Sequence, residues 1–371
     1  MKVEIGLGAV MALIGSLAAV PAADPPPKNA RDELPKAVVA AREKGLDWLA
    51  KNQAEDGSWG KRYIVGVTSI AVLAYLSSSD EPYAGDRAGV LEKGLKYLMD
   101  HQKDGLFPKE NYTWIHTQGF GTLALSEAYG KSLLCKTKPK TDMKKVKEAI
   151  AKAVKLISAN QSDNGGWWYI PGVKNQAEGS TTVCAVQALG SASNYGFKID
   201  QKVLDNGFSY LKKCQNDDGS FQYQLGDGKH MKEGTCADLA TLALMQKFDN
   251  KVTIAAYKYL LKVTPTQISK DEYTPYYGHF YGCMGMLLLG EEFKDDKEFR
   301  EKTNGYIAAV QRDLLSWQDK QGGFPVKGWM KNVDRVENEG YSTAFATLTL
   351  AVPDGRLSIY KRTPPVLPKE K

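Results

Sequence analysis

Three glutamates stand immediately before a glycine that opens an apolar helical pattern: Glu178-Gly179, Glu233-Gly234 and Glu339-Gly340. A carboxyl group so placed can cap the helix, where its charge is worth about 0.3 to 1 kcal/mol against the free amides. It can instead serve as one member of an acid and base pair. Partners for that second role occur near the starts of the same kind of helix: His116 and Gln118, Cys236 and Asp238, His279, and Tyr341. Glu178, Glu233, Asp238, His279 and Glu339 are therefore the candidate catalytic groups. The others, with Tyr277 and Tyr281, are candidates to line a binding cavity. A zinc ion on Cys236, Asp238 and His279 is an alternative in donor type. Helical residues two apart point about 200° apart, however, so Cys236 and Asp238 make a poor chelate, and the expectation is no metal and no cofactor. Trp114, Phe120, Trp168, Tyr169 and Phe280 add rings nearby, and such walls suit an isoprenoid or a sugar face.

What positions these residues is a repeat. The stretch KNQAEDGSWG from Lys51 returns as HQKDGLF from His101, NQSDNGGWW from Asn160, CQNDDGSF from Cys214 and WQDKQGGF from Trp317, with a worn copy around Gln267. The glutamines, Gln53, Gln102, Gln161, Gln215, Gln267 and Gln318, fall 49, 59, 54, 52 and 51 residues apart, one supersecondary unit per interval. A glutamine amide both donates and accepts, so it can bond carbonyls at its own helix end and amides of the neighbouring unit. The Asp-Gly or Gly-Gly pair turns the chain, and Trp59, Phe107, Trp167, Phe221 or Phe324 packs over the turn. Recurrence around a ring marks the motif as a structural staple, so chemistry is expected where the repeats differ.

Each unit carries two kinds of helix. The segment before a motif glutamine has one apolar stripe, such as Val146, Ile150, Val154 and Ile157. Gly45, Gly94 and Gly207 interrupt three of these helices; because glycine costs about 1 kcal/mol in mid-helix, it implies close packing there. The segment after each motif, for example Val65 to Leu76 or Gly278 to Leu289, is apolar or small nearly all round, as a helix buried on every side must be. Six such pairs bury all their stripes only by closing into two concentric rings. The predicted fold is all-α, an (α/α)6 toroid of six helical hairpins spanning 34–353.

Outside the repeats, residues 1–22 read as a signal peptide, with Lys2 before a short apolar run and small residues ahead of cleavage after Ala22. A Pro-rich linker over 23–33 and a tail over 354–371 complete the domain plan, and the expected location is the periplasm or cell envelope. A net charge of +6 over 371 residues is mild, and the absence of a basic block interleaved with aromatics excludes nucleic-acid binding. The five cysteines show no CxxC spacing, and three of them lie in apolar helix patterns and read as buried thiols. The expected ligand is a lipid, isoprenoid or glycan, with a membrane-surface or cell-envelope partner; no pattern speaks to oligomeric state.

The Q-x-x-D-G-S-W motif at this interval resembles the QW repeat of squalene and terpenoid cyclases and of the β subunits of protein prenyltransferases. The Glu339 to Ala344 segment and the tail Leu357 to Arg362 further resemble exported bacterial proteins with prenyltransferase or squalene oxidase repeats. The resemblance implies the α/α toroid and an apolar, aromatic cavity for an isoprenoid-like ligand. It also implies chemistry that the sequence does not repeat: no D-x-D-D acid motif, no D-D-x-x-D and no Asp-x-Cys zinc pair occurs. Tyr277 to Met284 is similar to the segment that bears the zinc histidine in prenyltransferases, which would make His279 that ligand, with Cys236 and Asp238 in reversed order. A polysaccharide lyase or glycan-binding toroid, and a non-catalytic interaction scaffold, are the rival readings.

Overall fold

The computed structural model describes residues 28–110, 112–263, 265–270, 274–327 and 339–367. The signal peptide, the linker up to residue 27 and the last tail residues, 368–371, lie outside the described residues. In chain order the helices are α1 (Lys28–Lys51), α2 (Ile64–Ser78), α3 (Ala88–Asp100), α4 (Ile115–Leu134), α5 (Met143–Ala159), α6 (Gly179–Asn194) and α7 (Gln201–Cys214). They continue as α8 (Lys232–Leu244), α9 (Lys251–Lys262), the short α10 (Pro265–Lys270), α11 (Pro275–Glu292), α12 (Lys297–Trp317) and α13 (Glu339–Ala351). Helix α1 begins inside the stretch expected as linker, so the end of that stretch from Lys28 is helical.

The inner helices close a ring: α2 packs on α4, α4 on α6, α6 on α8, α8 on α11, α11 on α13, and α13 back on α2. Outside it, α3 packs on α2, α5 on α4, α9 on α8 and α12 on α11, while α1 reaches across the closure to α13. The sequence explains the division. Helix α2 is buried on nearly every residue from Val65 to Ser77, whereas α5 buries one stripe, Val146, Ala149, Ile150, Ala153, Val154 and Ile157. Neighbouring inner helices run parallel, since Gly119 lies against Cys184 and Glu127 bonds Ser191 along α4 and α6. All their N-termini therefore share one end. The mid-helix glycines mark close approaches: a methyl on Gly94 would sit 2.9 Å from Val72 and 3.0 Å from Trp59.

The repeated motif ties outer helix to outer helix. Gln53 Nε2 donates to Gly57 and to Val90 in α3, Gln161 to Gly165 and Val203 in α7, Gln215 to Gly219 and Val252 in α9, and Gln318 to Gly322 and Ala41 in α1. The amide thus donates to a carbonyl of the next outer helix, and in the third unit Gln161 also accepts from the Asn206 side-chain amide of α7. The amide of the motif aromatic donates to a hydroxyl opening the following inner helix: Trp59 to Thr68, Trp167 to Thr182, Phe221 to Thr235 and Phe324 to Thr343. In the second unit Gln118 takes that place, accepting from the Phe107 amide at 3.0 Å and donating to Gly105 at 2.8 Å. Gln102 there accepts from the Gly105 amide. Gln118 is consequently a staple residue and not part of a cavity wall.

At the opposite end of the ring the chain beyond α13 forms two 3-10 turns, Val352–Asp354 and Ser358–Tyr360, and buries Leu357 to Tyr360 under the inner helices. Fully buried Glu127 receives the hydroxyls of Ser191, Tyr195 and Ser358 and the Ser358 amide. Leu357 to Tyr360, within the stretch expected as a tail, thus plug the base.

Candidate functional site at the mouth of the inner ring

The interior is filled with rings at mid-depth. Phe120 of α4 and Phe345 of α13, which are not neighbours in the ring, meet edge to face at 6.0 Å, and Phe280 lies 5.6 Å from Phe345. Tyr281 of α11 reaches across to α6, donating to Gln187 at 2.7 Å. The expected aromatic cavity is therefore filled at this depth by a floor of buried rings. Half-buried Tyr277 and Tyr341 stand above that floor, 4.6 Å from Tyr281 and 4.8 Å from Phe345.

The candidate acids occupy this end unequally. Glu178 is wholly buried and caps α6, accepting from the amides of Ser180 at 2.6 Å and Thr181 at 3.1 Å and from the Ser180 hydroxyl. Burial raises its pKa, opposed by the bonds from Ser180, Tyr169 and Thr181. Glu233, in the first turn of α8, accepts from the Thr274 amide beside the start of α11 at 3.2 Å. Exposed Glu339 opens α13. Glu110 completes the series from a position that no local spacing signals: it accepts from the amides of Val65 and Gly66 at the start of α2. Capping across units explains Glu110 and Glu233.

Asp238 differs from these. It is 2% exposed, its Oδ1 has no hydrogen-bond partner, and its Oδ2 lies 3.8 Å from where a methyl on Gly179 would be. Burial, and then the charge of Glu178, hold its carboxyl pKa well above the usual range, so it is protonated where ordinary carboxylates are not. His116 lies half-buried on the far side of Ser180, its Nε2 3.1 Å from the Ser180 hydroxyl and its Nδ1 2.7 Å from that of Thr113. Burial pushes its pKa down to about 4, which keeps the imidazole neutral.

Two candidates face away from the mouth. His279 is buried with Nε2 3.7 Å from Asp313 and its ring stacked 5.2 Å from Trp317, both on outer helix α12. Cys236 points to Tyr306 on the same helix at 3.7 Å, and burial pushes its thiol up to about 12. Cys236, Asp238 and His279 thus have separate surroundings, and no trio of His, Cys, Asp or Glu among the described residues could hold a metal ion. The zinc alternative is corrected on that geometry. What the sequence reasoning missed are the hydroxyls near Glu178: Ser180 donates to it, and the Tyr169 hydroxyl pairs with that of Tyr223. Tyr169 was legible as an aromatic, but its pairing with Tyr223 joins different units.

A closed ring of parallel inner helices wrapped by outer helices defines an α/α toroid. The sequence profile of the prenyltransferase alpha-alpha toroid domain matches residues 30–204, 129–264 and 248–364, and the chain belongs to that family. Among solved structures it is similar to a variant of the type II terpene cyclase MstE from Scytonema in complex with geranylgeranyl dihydroxybenzoate, with a TM-score of 0.60, 15% identity, and coverage of 88% of this chain and 99% of that one. The apo form of MstE gives a TM-score of 0.55, 16% identity, and coverage of 85% and 98%. An inactive variant of the alpha-1,6-mannanase GH76A of Salegentibacter sp. HEL1_6, in complex with alpha-1,6-mannotriose, gives 0.60, 10% identity, and coverage of 85% and 98%. No curated protein matches the sequence. At these identities the likenesses establish the fold alone.

Proposed function

We propose that this is an exported toroid that holds the apolar part of a lipid or isoprenoid-like ligand on the aromatic floor of its inner ring. The observation that carries the reading is the stack of half-buried Tyr277 and Tyr341 over buried Tyr281 and Phe345. Rings around a concave mouth offer an apolar surface, and their faces attract a cationic intermediate. MstE, whose bound ligand is a geranylgeranyl compound, supports this by analogy of fold. The sequence has no D-x-D-D motif, and a carboxyl whose pKa burial raises, as at Asp238, is a weaker proton donor to an alkene, so the reading is one of binding.

The hydroxyls around Glu178 favour a second reading, a glycan-binding toroid, in line with the mannotriose held by GH76A. Purifying the protein from its own cell envelope and extracting bound molecules for mass spectrometry separates the two. A prenyl or acyl lipid supports the first reading and a free glycan the second; an empty protein leaves an interaction scaffold. The same sample tests cleavage of the signal peptide: cleavage after Ala22 leaves Ala23 as the first residue, whereas a chain that still carries Lys2 retains the segment as an anchor.

A further inference from the structure

Along the mouth beside α6 runs one polar series: the Tyr223 and Tyr169 hydroxyls bond each other, the Ser180 hydroxyl donates to Glu178, and His116 bridges the Ser180 and Thr113 hydroxyls. It consists of hydroxyls, a carboxyl group and an imidazole. Exposed Tyr112 and half-buried Trp168 flank Tyr169 at ring separations of 5.5 and 5.0 Å, which makes an aromatic shelf next to the series. Behind Gly179 stands the buried Asp238 Oδ1 with no partner, and the covered Tyr277 hydroxyl on α11 likewise has none. Two buried polar groups without partners cost roughly 1 to 3 kcal/mol each, and a bound group that meets them recovers that cost.

We propose that this stretch of the mouth binds the head of the ligand, and that the head is neutral and rich in hydroxyls, a glycosyl or polyol group. The inference rests on the reading that the aromatic floor takes the apolar part. A hydroxyl both donates and accepts, so it can pair with Asp238 in either protonation state and accept from Tyr277. A phosphate or carboxylate head adds negative charge beside the Glu178 carboxyl, which a neutral head does not. The shelf of Tyr112, Tyr169 and Trp168 suits the apolar face of a sugar ring. Lys229, over the Tyr223 ring at 5.1 Å, lies 3.9 Å from Asp227, which offsets its charge.

Isothermal titration of the full chain at pH 7 with octyl glucoside, octyl phosphate, octanol and glucose, each below its micellar range, tests the assignment. Octyl glucoside is expected to bind at least tenfold tighter than octyl phosphate or octanol. Tyr169→Phe and Ser180→Ala should each weaken the glucoside three- to tenfold and leave octanol unchanged, with Ser180→Ala also lowering the melting temperature because it removes a hydroxyl bonded to buried Glu178. Equal affinity for glucoside and phosphate, or variants that weaken octanol as much as glucoside, overturns the head assignment while the floor stands. Binding of glucose without octanol sinks the floor and keeps the head; no binding of any probe counts against both.

Discussion

Ser358 and Glu127, 231 residues apart in sequence, share two hydrogen bonds at the base of the ring: the Ser358 hydroxyl donates at 2.6 Å and its amide at 2.9 Å. The segment after α13 is thereby fixed to α4, and the toroid is closed at one end. Glu127→Ala leaves the buried donors of Ser191, Tyr195 and Ser358 without an acceptor, and the expected loss is about 3 to 5 kcal/mol in urea denaturation. Ser358→Ala removes one buried hydroxyl bond to Glu127 and keeps the amide bond, so it should lose roughly 0.5 to 1.5 kcal/mol. Unchanged midpoints in both variants would show that the plug contributes nothing.

Ring closure depends on Gln318 and Gly322. Gln318 joins the last outer helix to Ala41 in the first, and Gly322 has a φ of +93° with space for no side chain, since an added methyl would lie 2.6 Å from the Lys44 carbonyl. Gln318→Ala is expected to lose about 1 kcal/mol, a typical net hydrogen bond. Gly322→Ala combines left-handed strain with the collision and should cost roughly 1 to 3 kcal/mol or more. Guanidinium unfolding of the two variants checks the order; equal effects would deny the close approach.

Asp238 should make stability depend on pH in the sense opposite to an ion-paired carboxylate. Its pKa is raised in the fold while an unfolded Asp titrates near ~3.9, so its stabilising contribution is full below that value and falls away as pH rises through the folded value. His116 has the other sign: with a folded pKa of about 4, its contribution is full above the unfolded value near ~6.5 and is lost as pH falls through about 4. Comparing the parent with Asp238→Asn by thermal melting from pH 5 to 8, the parent is expected to lose stability relative to the variant as pH rises. Parallel curves would contradict a buried, protonated Asp238.

A direct check on the mouth is the ionisation of His116. Nuclear magnetic resonance of the imidazole carbons should show a neutral ring down to about pH 5 and titration near 4. A midpoint close to 6.5 would mean that the ring is solvated and not enclosed against Ser180 and Thr113.

The fold was legible because the same signal recurs: a glutamine, a glycine turn and an aromatic at a near-constant interval leave few ways to bury the apolar stripes. The site was legible only in part. Glu178 and Asp238 could be singled out by type and place, but capping by Glu110 and Glu233 depends on contacts between units that spacing does not encode. His279 looked like a mouth residue because it shares α11 with Tyr277, yet two residues along a helix turn the side chain towards the other face, here to Asp313 and Trp317. Gln118 misled for a related reason: it stands where other repeats place a threonine, and a longer side chain does the same stapling from the same helix.

The central claim is an apolar ligand seated on the aromatic floor, and native mass spectrometry of the full chain titrated with geranylgeraniol tests it most directly. The account predicts a single one-to-one adduct at micromolar concentration that is lost in Phe345→Asp and weakened at least fivefold in Tyr341→Ala, with the folded charge-state distribution kept in Tyr341→Ala. No adduct, or multiple adducts that persist equally in both variants, would contradict it.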